Sequence, residues 1–415
     1  MSGSDPNAGR AVPVATPVAR AWLQAHALPV IVLAQLCGTS LWFSVNGVWL
    51  SMSQALGLDE ARLGVLTLSV QAGFIVGTLS LAVSGLADRF RASAIFALSA
   101  VCGALVNALF VPLAGHGPFD AGLRFLTGLC LAGVYPLGMK LVISWTPSHA
   151  GAALSWLVGM LTLGTALPHW MRGITQDLSW SWPLWGASAL AVLGAVLIVL
   201  LGDGPHLPRA GGRIPLRKGL AALQVPRFRA VAGGYFGHCW ELYAFWMLVP
   251  LLVGRELARL GASEALLPWL AFAVIALGLP GCVGGGWLSR RFGSLLVARA
   301  ALGLSGLICL LYPLLAWLPA AWLLVLLLLW GVAVIADSPQ FSALAASHAP
   351  QQMIGSSLAV MNAIGFALTI PAIWLTSSLW GTLQGWVVWC LLPGPVLGLW
   401  ALHGLSARRA SAGGA

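Results

Sequence analysis

The chain contains twelve apolar runs of about twenty residues or more, separated by short charged or Pro/Gly-rich breaks. A helix needs about 20 apolar residues to cross a hydrocarbon core of roughly 30 Å, so each run predicts one membrane-crossing helix. We call these helices segments 1 to 12 and predict them at 27–50, 63–86, 92–113, 119–145, 150–171, 182–202, 229–253, 266–288, 294–317, 320–345, 353–378 and 382–403. Only 8% of the residues are charged, against about a quarter in soluble domains, which excludes a water-soluble fold.

The longest break between two runs carries four cations among repeated prolines and glycines, and it divides the segments into six plus six. The fold class is therefore an all-α membrane protein with two six-helix bundles. We predict a disordered cytoplasmic tail over 1–26, a first bundle over 27–203, a cytoplasmic central loop over 204–228, a second bundle over 229–403 and a cytoplasmic tail over 404–415.

The cations are shared unevenly between the two sides of the predicted bundle. With a cytoplasmic N-terminus, 16 of the 21 Lys and Arg residues lie on the cytoplasmic side. The positive-inside rule then places both termini in the cytoplasm. The strong preference for Arg over Lys indicates a bacterial source, so we expect the bacterial inner membrane. No nucleic-acid partner is expected, because the cations flank apolar spans instead of forming a solvated basic face.

The second half of the chain repeats features of the first at a nearly constant offset. Gly38 corresponds to Gly237, an offset of 199, and Arg89 corresponds to Arg291, an offset of 202. The last matches, at an offset of 203, pair Gly128 with Gly331 and Pro136 with Pro339. Together they predict two pseudo-symmetric halves. Parallel six-helix repeats with a site between them near the bilayer midplane are the plan of one large class of secondary transporter.

Three short motifs resemble those of the major facilitator superfamily. Residues 84–91, SGLADRFR, are similar to the family's GxLaDrxGrr loop signature, and residues 286–293, GWLSRRFG, to its second copy. Arg124 and Gly128 are similar to the RxxxG element of the fourth helix. The motifs also depart from the pattern: Ser84 replaces the first Gly, Arg91 stands at the second Gly, and Arg290 occupies an acidic position. The motifs do not resolve the subfamily.

The resemblance implies a twelve-helix fold in which segments 1, 4, 7 and 10 line a central cavity. It also implies that Asp88 faces the start of segment 11 near Gly355, where a helix N-terminus attracts a carboxylate. That contact would lock the outward-open state. We therefore predict conformational gating by Asp88, Arg89, Arg290 and Arg291, with a purely topogenic role for the basic residues as the alternative.

Glu241 is an ionisable residue that the sequence places near the bilayer centre. It lies about twelve residues into segment 7, or roughly 18 Å along a helix. An ionisable group at that depth is a functional-site hypothesis by default. His238 and Phe245 share its helical face at spacings of three and four. We predict that Glu241, with His238, couples transport to protons, and the alternative is a Glu that only hydrogen-bonds a neighbouring helix.

Two further charged residues complete the predicted coupling set. Asp337 precedes Pro339, which opens the backbone hydrogen bonding of segment 10, and broken helices are frequent at transporter sites. The alternative is a kink that is capped locally. The resemblance links Arg124 to proton coupling, whereas an Arg that snorkels outward or pairs with Asp120 is the other interpretation.

Polar and aromatic residues recur on single faces of otherwise apolar segments, which predicts a cavity lining. The alternative is that such residues bond one helix to another. The predicted lining comprises Gln35, Thr39, Trp42, Asn46, Gln71, Tyr135, Phe245, Gln340 and Asn362.

The sequence therefore predicts a secondary active transporter that moves a small solute by alternating access, driven by protons. Efflux of a drug or metabolite fits the Trp-rich interior. A carrier of small anions, with Arg124 as substrate ligand and Glu241 in gating, is the second hypothesis. An intramembrane enzyme or a channel is disfavoured by the two-fold repeat. We expect a monomer in the lipid bilayer with no metal and no cofactor.

Overall fold

The protein is described here by a computed structural model over residues 22–147, 150–206, 216–350 and 354–405. Most of the two predicted tails, at 1–21 and 406–415, and residues 207–215 of the predicted central loop lie outside these ranges. Within them the regular structure is entirely helical, and eleven helical stretches are long and apolar enough to cross a membrane. The all-α membrane fold expected from the sequence is confirmed.

The helices of the first half are Ala27–Thr39 and Ser44–Leu56 in segment 1, Ala61–Ser84 in segment 2, Ala92–Leu113 in segment 3, Pro118–Leu131 and Tyr135–Trp145 in segment 4, Ala150–Ile174 in segment 5 and Trp182–Leu201 in segment 6. A four-residue helix, Leu86–Arg89, follows segment 2, and the helix Leu216–Ala222 lies between the halves.

The second half comprises Pro226–Leu260 in segment 7, Leu267–Ala276 and Gly278–Phe292 in segment 8, Ser294–Leu314 in segment 9, Ala320–Ala336 and Ser338–His348 in segment 10, Ile354–Leu383 in segment 11, and the 3-10 turn Gln384–Cys390 with Pro393–Leu402 in segment 12.

The last apolar stretch, Ile354–Leu402, has 49 residues, which is long enough for two crossings. Its chain reverses at Gln384, whose φ of 47° lies in the left-handed region. Arg255, from the far end of segment 7, packs beside Gly385 at this reversal. At the other end, Arg299 at the start of segment 9 donates to the carbonyl of Leu402. The described residues thus cross twelve times.

The two halves pack alike. In the first half segment 1 packs on segments 5 and 6, segment 2 on segment 4, and segment 3 on segments 4 and 6. The second half repeats each pairing as 7 on 11 and 12, 8 on 10, and 9 on 10 and 12. Segments 2 and 11, and segments 5 and 8, join the halves. The predicted six-plus-six repeat is therefore a repeat of packing.

Two glycines explain part of this symmetry. A Cβ on Gly128 would lie 1.9 Å from the carbonyl oxygen of Val70, and one on Gly331 would lie 1.8 Å from that of Val274. The backbones of segments 4 and 10 therefore touch those of segments 2 and 8, which small residues permit in membrane bundles.

The bundle ends differ in charge, and we name them the basic face and the mixed face. Among the described residues, the basic face carries Arg89, Arg91, Lys140, Arg217, Lys218, Arg227, Arg229, Arg290, Arg291 and Arg299 with Asp88 and Asp203. The mixed face carries Arg62, Arg172, Arg255 and Arg259 with Asp59, Glu60, Asp120, Asp177, Glu256 and Glu264.

Candidate functional site

Two cavities lie between the halves, one towards each face. The basic-side cavity has a volume of about 220 Å³, and its lining includes Phe74, Thr78, Tyr135, Lys140, Asn362 and Phe366 from segments 2, 4 and 11. The mixed-side cavity is larger, about 940 Å³, and segments 1, 5, 7 and 11 contribute Asn46, Gly47, Arg172, Pro250, Arg255 and Trp380. The lining residues of each cavity come from both halves. The two cavities therefore mark the path by which a solute would cross from one face to the other.

Six aromatic side chains form a layer between the two cavities, which we call the aromatic layer: Trp42, Phe43, Phe74, Tyr243, Trp246 and Phe366. The rings touch across the two halves, with centroid distances of 4.6 Å for Phe74 and Phe366 and 5.4 Å for Trp42 and Tyr243. All six side chains are buried. Along segment 1 the layer precedes Asn46 and Gly47 of the mixed-side cavity by one turn, so the layer closes that cavity off.

A chain of hydrogen bonds crosses the layer from one half to the other. The indole Nε1 of Trp42 donates to Oε1 of Gln71 at 2.7 Å. Nε2 of Gln71 in turn donates to Oγ1 of Thr369 in segment 11 at 3.0 Å. Two predicted lining residues are thus brought together, and they bond helices to one another in this state.

His238 and Asp337 meet where segment 10 breaks. The helix Ala320–Ala336 ends just before Asp337, and Pro339 lies in the first turn of the next helix, as the sequence predicts. Nδ1 of His238 lies 2.8 Å from Oδ1 of Asp337, at an angle unsuited to a hydrogen bond. Both side chains are buried, and neither atom has a hydrogen-bond partner in the described part of the chain.

Glu241 lies inside the second half, between segments 7, 9 and 10. Its Oε1 accepts hydrogen bonds from Oγ of Ser305 at 2.6 Å and from Nε1 of Trp330 at 2.8 Å. Phe245 packs on the same tryptophan with a centroid distance of 4.4 Å. Within the described residues no Lys or Arg pairs with Glu241, so its donors are neutral. Glu241 and Phe245 lie outside the lining of both cavities.

Arg124 is fully buried in the first half and stabilises the break in segment 1. Its guanidinium donates to the carbonyl of Trp42 at 2.5 Å, to that of Leu41 at 3.3 Å and to Oγ of Ser44 at 3.1 Å. It also reaches Oδ1 of Asn107. The two carbonyls belong to the break at residues 40–43, between the helices Ala27–Thr39 and Ser44–Leu56.

Asp120 does not pair with Arg124. Its carboxylate contacts Arg62 and accepts from the backbone N–H of Gly115 at 3.1 Å. The Arg124–Asp120 interpretation of the sequence is therefore wrong for this state, since Arg62 of segment 2 occupies the carboxylate. Arg124 is also absent from the lining of either cavity.

The other predicted lining residues divide between cavities and helix contacts. Tyr135 and Asn362 line the basic-side cavity. Asn46 lines the mixed-side cavity and donates to Oγ1 of Thr67 at 3.1 Å. Thr39 donates to the carbonyl of Gln35, one turn earlier, at 2.8 Å.

Gln35 and Gln340 are both buried. The amide of Gln35 lies against Gly138 of segment 4, and neither of its polar atoms has a hydrogen-bond partner among the described residues. Gln340 lies in the first turn of the helix Ser338–His348, beside the break at Asp337.

The predicted gating residues lie at the basic face. Segment 2 ends at Gly85, whose φ of 66° is left-handed, and Arg89 closes the short helix that follows. Arg290 and Arg291 end segment 8, and the guanidinium of Arg291 lies 5.3 Å from the ring centre of Phe292. The side chain of Asp88 lies outside the described part of the structure.

Sequence reasoning missed most of the aromatic layer. Of its six members it selected only Trp42, because Phe, Tyr and Trp are common in apolar spans. The spacing of Trp42, Phe43, Tyr243 and Trp246 offers one signal, since an offset of about two hundred pairs aromatic residues of segments 1 and 7. Only the packed structure shows that these pairs meet.

Comparison with known proteins agrees with this architecture. A family model described as Major Facilitator Superfamily matches residues 31–373. No curated protein matches the chain. A crystal structure of a mutant form of the nucleoside transporter NupG superposes with a TM-score of 0.68 at 14% identity, covering 92% of this chain and 98% of that one. That similarity shows a shared fold.

Proposed function

The chain belongs to the major facilitator superfamily and is a multi-pass membrane transporter of a small solute, and we propose that it couples this transport to protons through Glu241. Efflux of a drug or metabolite is the direction we favour, because the aromatic layer between the halves is apolar. The coupling proposal depends on one observation, the environment of the Glu241 carboxyl group.

A carboxylate inside a membrane bundle is costly unless it is paired with a cation or binds a proton. Glu241 has neutral hydrogen-bond donors and no Lys or Arg partner among the described residues. A proton would remove the charge without breaking either hydrogen bond, because the second carboxyl oxygen can carry it. This environment therefore suits a group that binds and releases a proton during the cycle.

The pair formed by His238 and Asp337 supports the same proposal. It combines a second buried carboxyl group with the side chain that most readily exchanges protons near neutral pH. It also lies at a helix break, where the backbone can rearrange. We propose that a second state of the cycle opens the region around segments 7 and 10 and exposes these groups to water.

The geometry disfavours the anion-carrier hypothesis. An anion ligand needs a cation with accessible donors, whereas the Nη donors of Arg124 are used by backbone carbonyls and by Ser44 and Asn107. Its Nε has no partner among the described residues, but it is buried, and Arg124 lines neither cavity. A substrate carboxylate could reach this guanidinium only if segment 1 gave up those bonds.

The test is substrate-driven proton movement in proteoliposomes, measured with an internal pH indicator for native protein and for Glu241→Gln. Glutamine keeps an oxygen that can accept from Ser305 and Trp330, so the variant should fold. We expect the proton signal to fall to that of empty liposomes, while exchange of labelled substrate for unlabelled substrate continues. Glu241→Asp, which retains a carboxyl group, should restore part of the signal.

Asp177→Asn is the matched control, because Asp177 is exposed at the mixed face and the change also removes one carboxylate. It should transport and move protons as the native chain does. An undiminished proton signal in Glu241→Gln would refute the assignment and move it to Asp337, to be tested with Asp337→Asn.

We further propose that the basic face is cytoplasmic, in a bacterial inner membrane, and that the protein works as a monomer. The described residues of the basic face carry ten cations and two acids, while the mixed face carries four cations and six acids. This distribution follows the positive-inside rule. A reporter active only in the cytoplasm and fused after Ala415 should be active, and a periplasm-dependent reporter at the same position should be inactive.

A further inference from the structure

We infer that the aromatic layer is itself a substrate site, and that it selects a planar, uncharged ring compound that accepts a hydrogen bond from Trp246. This inference names the substrate class of the transporter proposed above and rests on that function. The observations that support it are the position of the layer, its chemistry and one unpartnered indole.

The layer lies where a transported solute must pass. It separates the two cavities, and both halves contribute rings: Trp42, Phe43 and Phe74 from the first, and Tyr243, Trp246 and Phe366 from the second. Alternating access moves one half against the other, so the rings that meet here must separate during the cycle. A flat molecule can then take the place of a ring–ring contact, since aromatic groups stack with centroids about 4.5–7 Å apart.

The indole of Trp246 carries the polar part of the argument. The side chain is 1% exposed, and its Nε1 has no hydrogen-bond partner in the described part of the chain. Trp42 of the same layer has the usual arrangement of a buried indole, because its Nε1 donates a hydrogen bond to Gln71. A buried donor without an acceptor is unfavourable, and most buried polar groups are paired. A substrate acceptor atom would complete this site.

A second unpartnered polar group lies nearby on the mixed side. Both ring nitrogens of His169 are buried without partners among the described residues. The backbone of His169 packs against Gly47, which is hydrogen-bonded to Phe43 one helical turn earlier. Phe43 in turn meets Trp246 edge-on at 5.9 Å. These contacts place the backbone of His169 beside the helical turn that carries Phe43.

The neighbouring charges explain why the ligand should be neutral. Three of the buried charged side chains are already engaged: Arg124 by backbone carbonyls, Glu241 by Ser305 and Trp330, and Asp337 by its ion pair with His238. No side chain of the layer itself is charged. A charged ligand would lose its hydration in this layer and find no counter-ion, which is strongly unfavourable.

The test is ligand binding to purified protein in detergent at one fixed pH, measured by equilibrium dialysis. The probes are caffeine, which is planar, uncharged and has only acceptors; 2-naphthoate, a planar anion; ethidium, a planar cation; and naphthalene, a ring system without an acceptor. We expect caffeine to bind more tightly than either charged probe.

Trp246→Phe removes the N–H and keeps an aromatic ring. It should raise the Kd for caffeine by about five- to tenfold, the effect of losing one neutral hydrogen bond, and leave naphthalene binding unchanged. Trp400→Phe is the matched control. Trp400 lies on segment 12, outside the layer, and is 78% exposed, so this substitution removes an indole N–H that the layer does not contain. A far-ultraviolet dichroism spectrum identical to that of the native chain shows that each variant folds.

Equal caffeine affinity in Trp246→Phe and native protein, or tighter binding of a charged probe than of caffeine, would overturn the inference. Neither result touches proton coupling, because dialysis at fixed pH involves no proton gradient. Conversely, loss of the coupling assignment in the Glu241→Gln experiment leaves the caffeine result standing. The two proposals thus fail separately.

Discussion

At the scale of single residues, Arg124 and Glu241 are both buried without a counter-ion, and their hydrogen-bond partners distinguish them. Both are charged residues in the apolar interior, and the sequence assigns both to proton coupling. The structure gives them different surroundings. Arg124 donates to main-chain carbonyls, which are permanent features of a helix break, whereas Glu241 accepts from side chains that serve equally well when it is protonated.

We predict that the main effect of Arg124→Ala is a loss of stability of the folded protein, and not a change in which substrate binds. The carbonyl of Trp42 would lose its Arg124 donor, at about 1–3 kcal/mol for a buried acceptor, and that of Leu41 would keep only the hydroxyl of Ser44. The melting temperature in detergent should fall clearly. Arg124→Lys should recover only part of the lost melting temperature, because an ammonium group lacks the planar fork of a guanidinium.

Arg229→Ala, at an exposed arginine of the basic face, should melt like the native chain. Native-like melting of Arg124→Ala with selective loss of anion binding would instead favour the anion carrier.

At the scale of helices, the sequence predicted those features that bilayer thickness and proline impose. Twelve apolar runs gave twelve crossings, because the hydrocarbon core demands a minimum length wherever a helix spans it. Pro339 marks the predicted break in segment 10, since it cannot continue the backbone hydrogen bonding of the preceding turn. Pro136, its counterpart in the repeat, lies beside a break in segment 4 that the sequence analysis did not predict.

The break at residues 40–43 of segment 1 had no such marker. The sequence there is Ser-Leu-Trp-Phe, which any apolar helix can contain. Its freed carbonyls are stabilised by Arg124, more than eighty residues later, so only the tertiary structure reveals the reason for the break. The apparent polar stripe of segment 1 therefore does not follow one straight helix, and its members contact different neighbours.

Helix packing provides a second prediction. Gly128→Ala and Gly331→Ala should each destabilise the protein by about 1–3 kcal/mol, because the added methyl group would force apart two touching backbones. Similar losses at both positions would show that the two halves share this contact. Gly122→Ala in segment 4 and Gly284→Ala in segment 8 are matched controls, since a Cβ at either position meets nothing within 4 Å. Thermal melting in detergent measures all four. Equal stability of Gly128→Ala and Gly122→Ala would show that the backbones separate without cost.

At the scale of the whole molecule, the two halves touch near both faces. Near the mixed face, Gly64 of segment 2 packs against Ser377 of segment 11. Near the basic face, Gly286 of segment 8 packs against Ser155 of segment 5. Alternating access by a rocking of the halves must break these two contacts in turn. The structure therefore identifies one pair of positions for each gate.

We predict that a covalent link across either gate stops transport. A Cβ on Gly64 would lie 2.6 Å from that of Ser377, and one on Gly286 would lie 3.0 Å from that of Ser155. Both are shorter than the roughly 3.5–4.5 Å between the Cβ atoms of a disulfide, so a small relaxation allows the bond. Oxidation of G64C/S377C and of S155C/G286C should each abolish substrate uptake in proteoliposomes, and dithiothreitol should restore it.

The four single-cysteine variants, treated with the same oxidant, control for the seven native cysteines. Undiminished uptake by a fully cross-linked double variant would mean that this gate stays closed throughout the cycle, and that the solute crosses without a rocking motion of the halves.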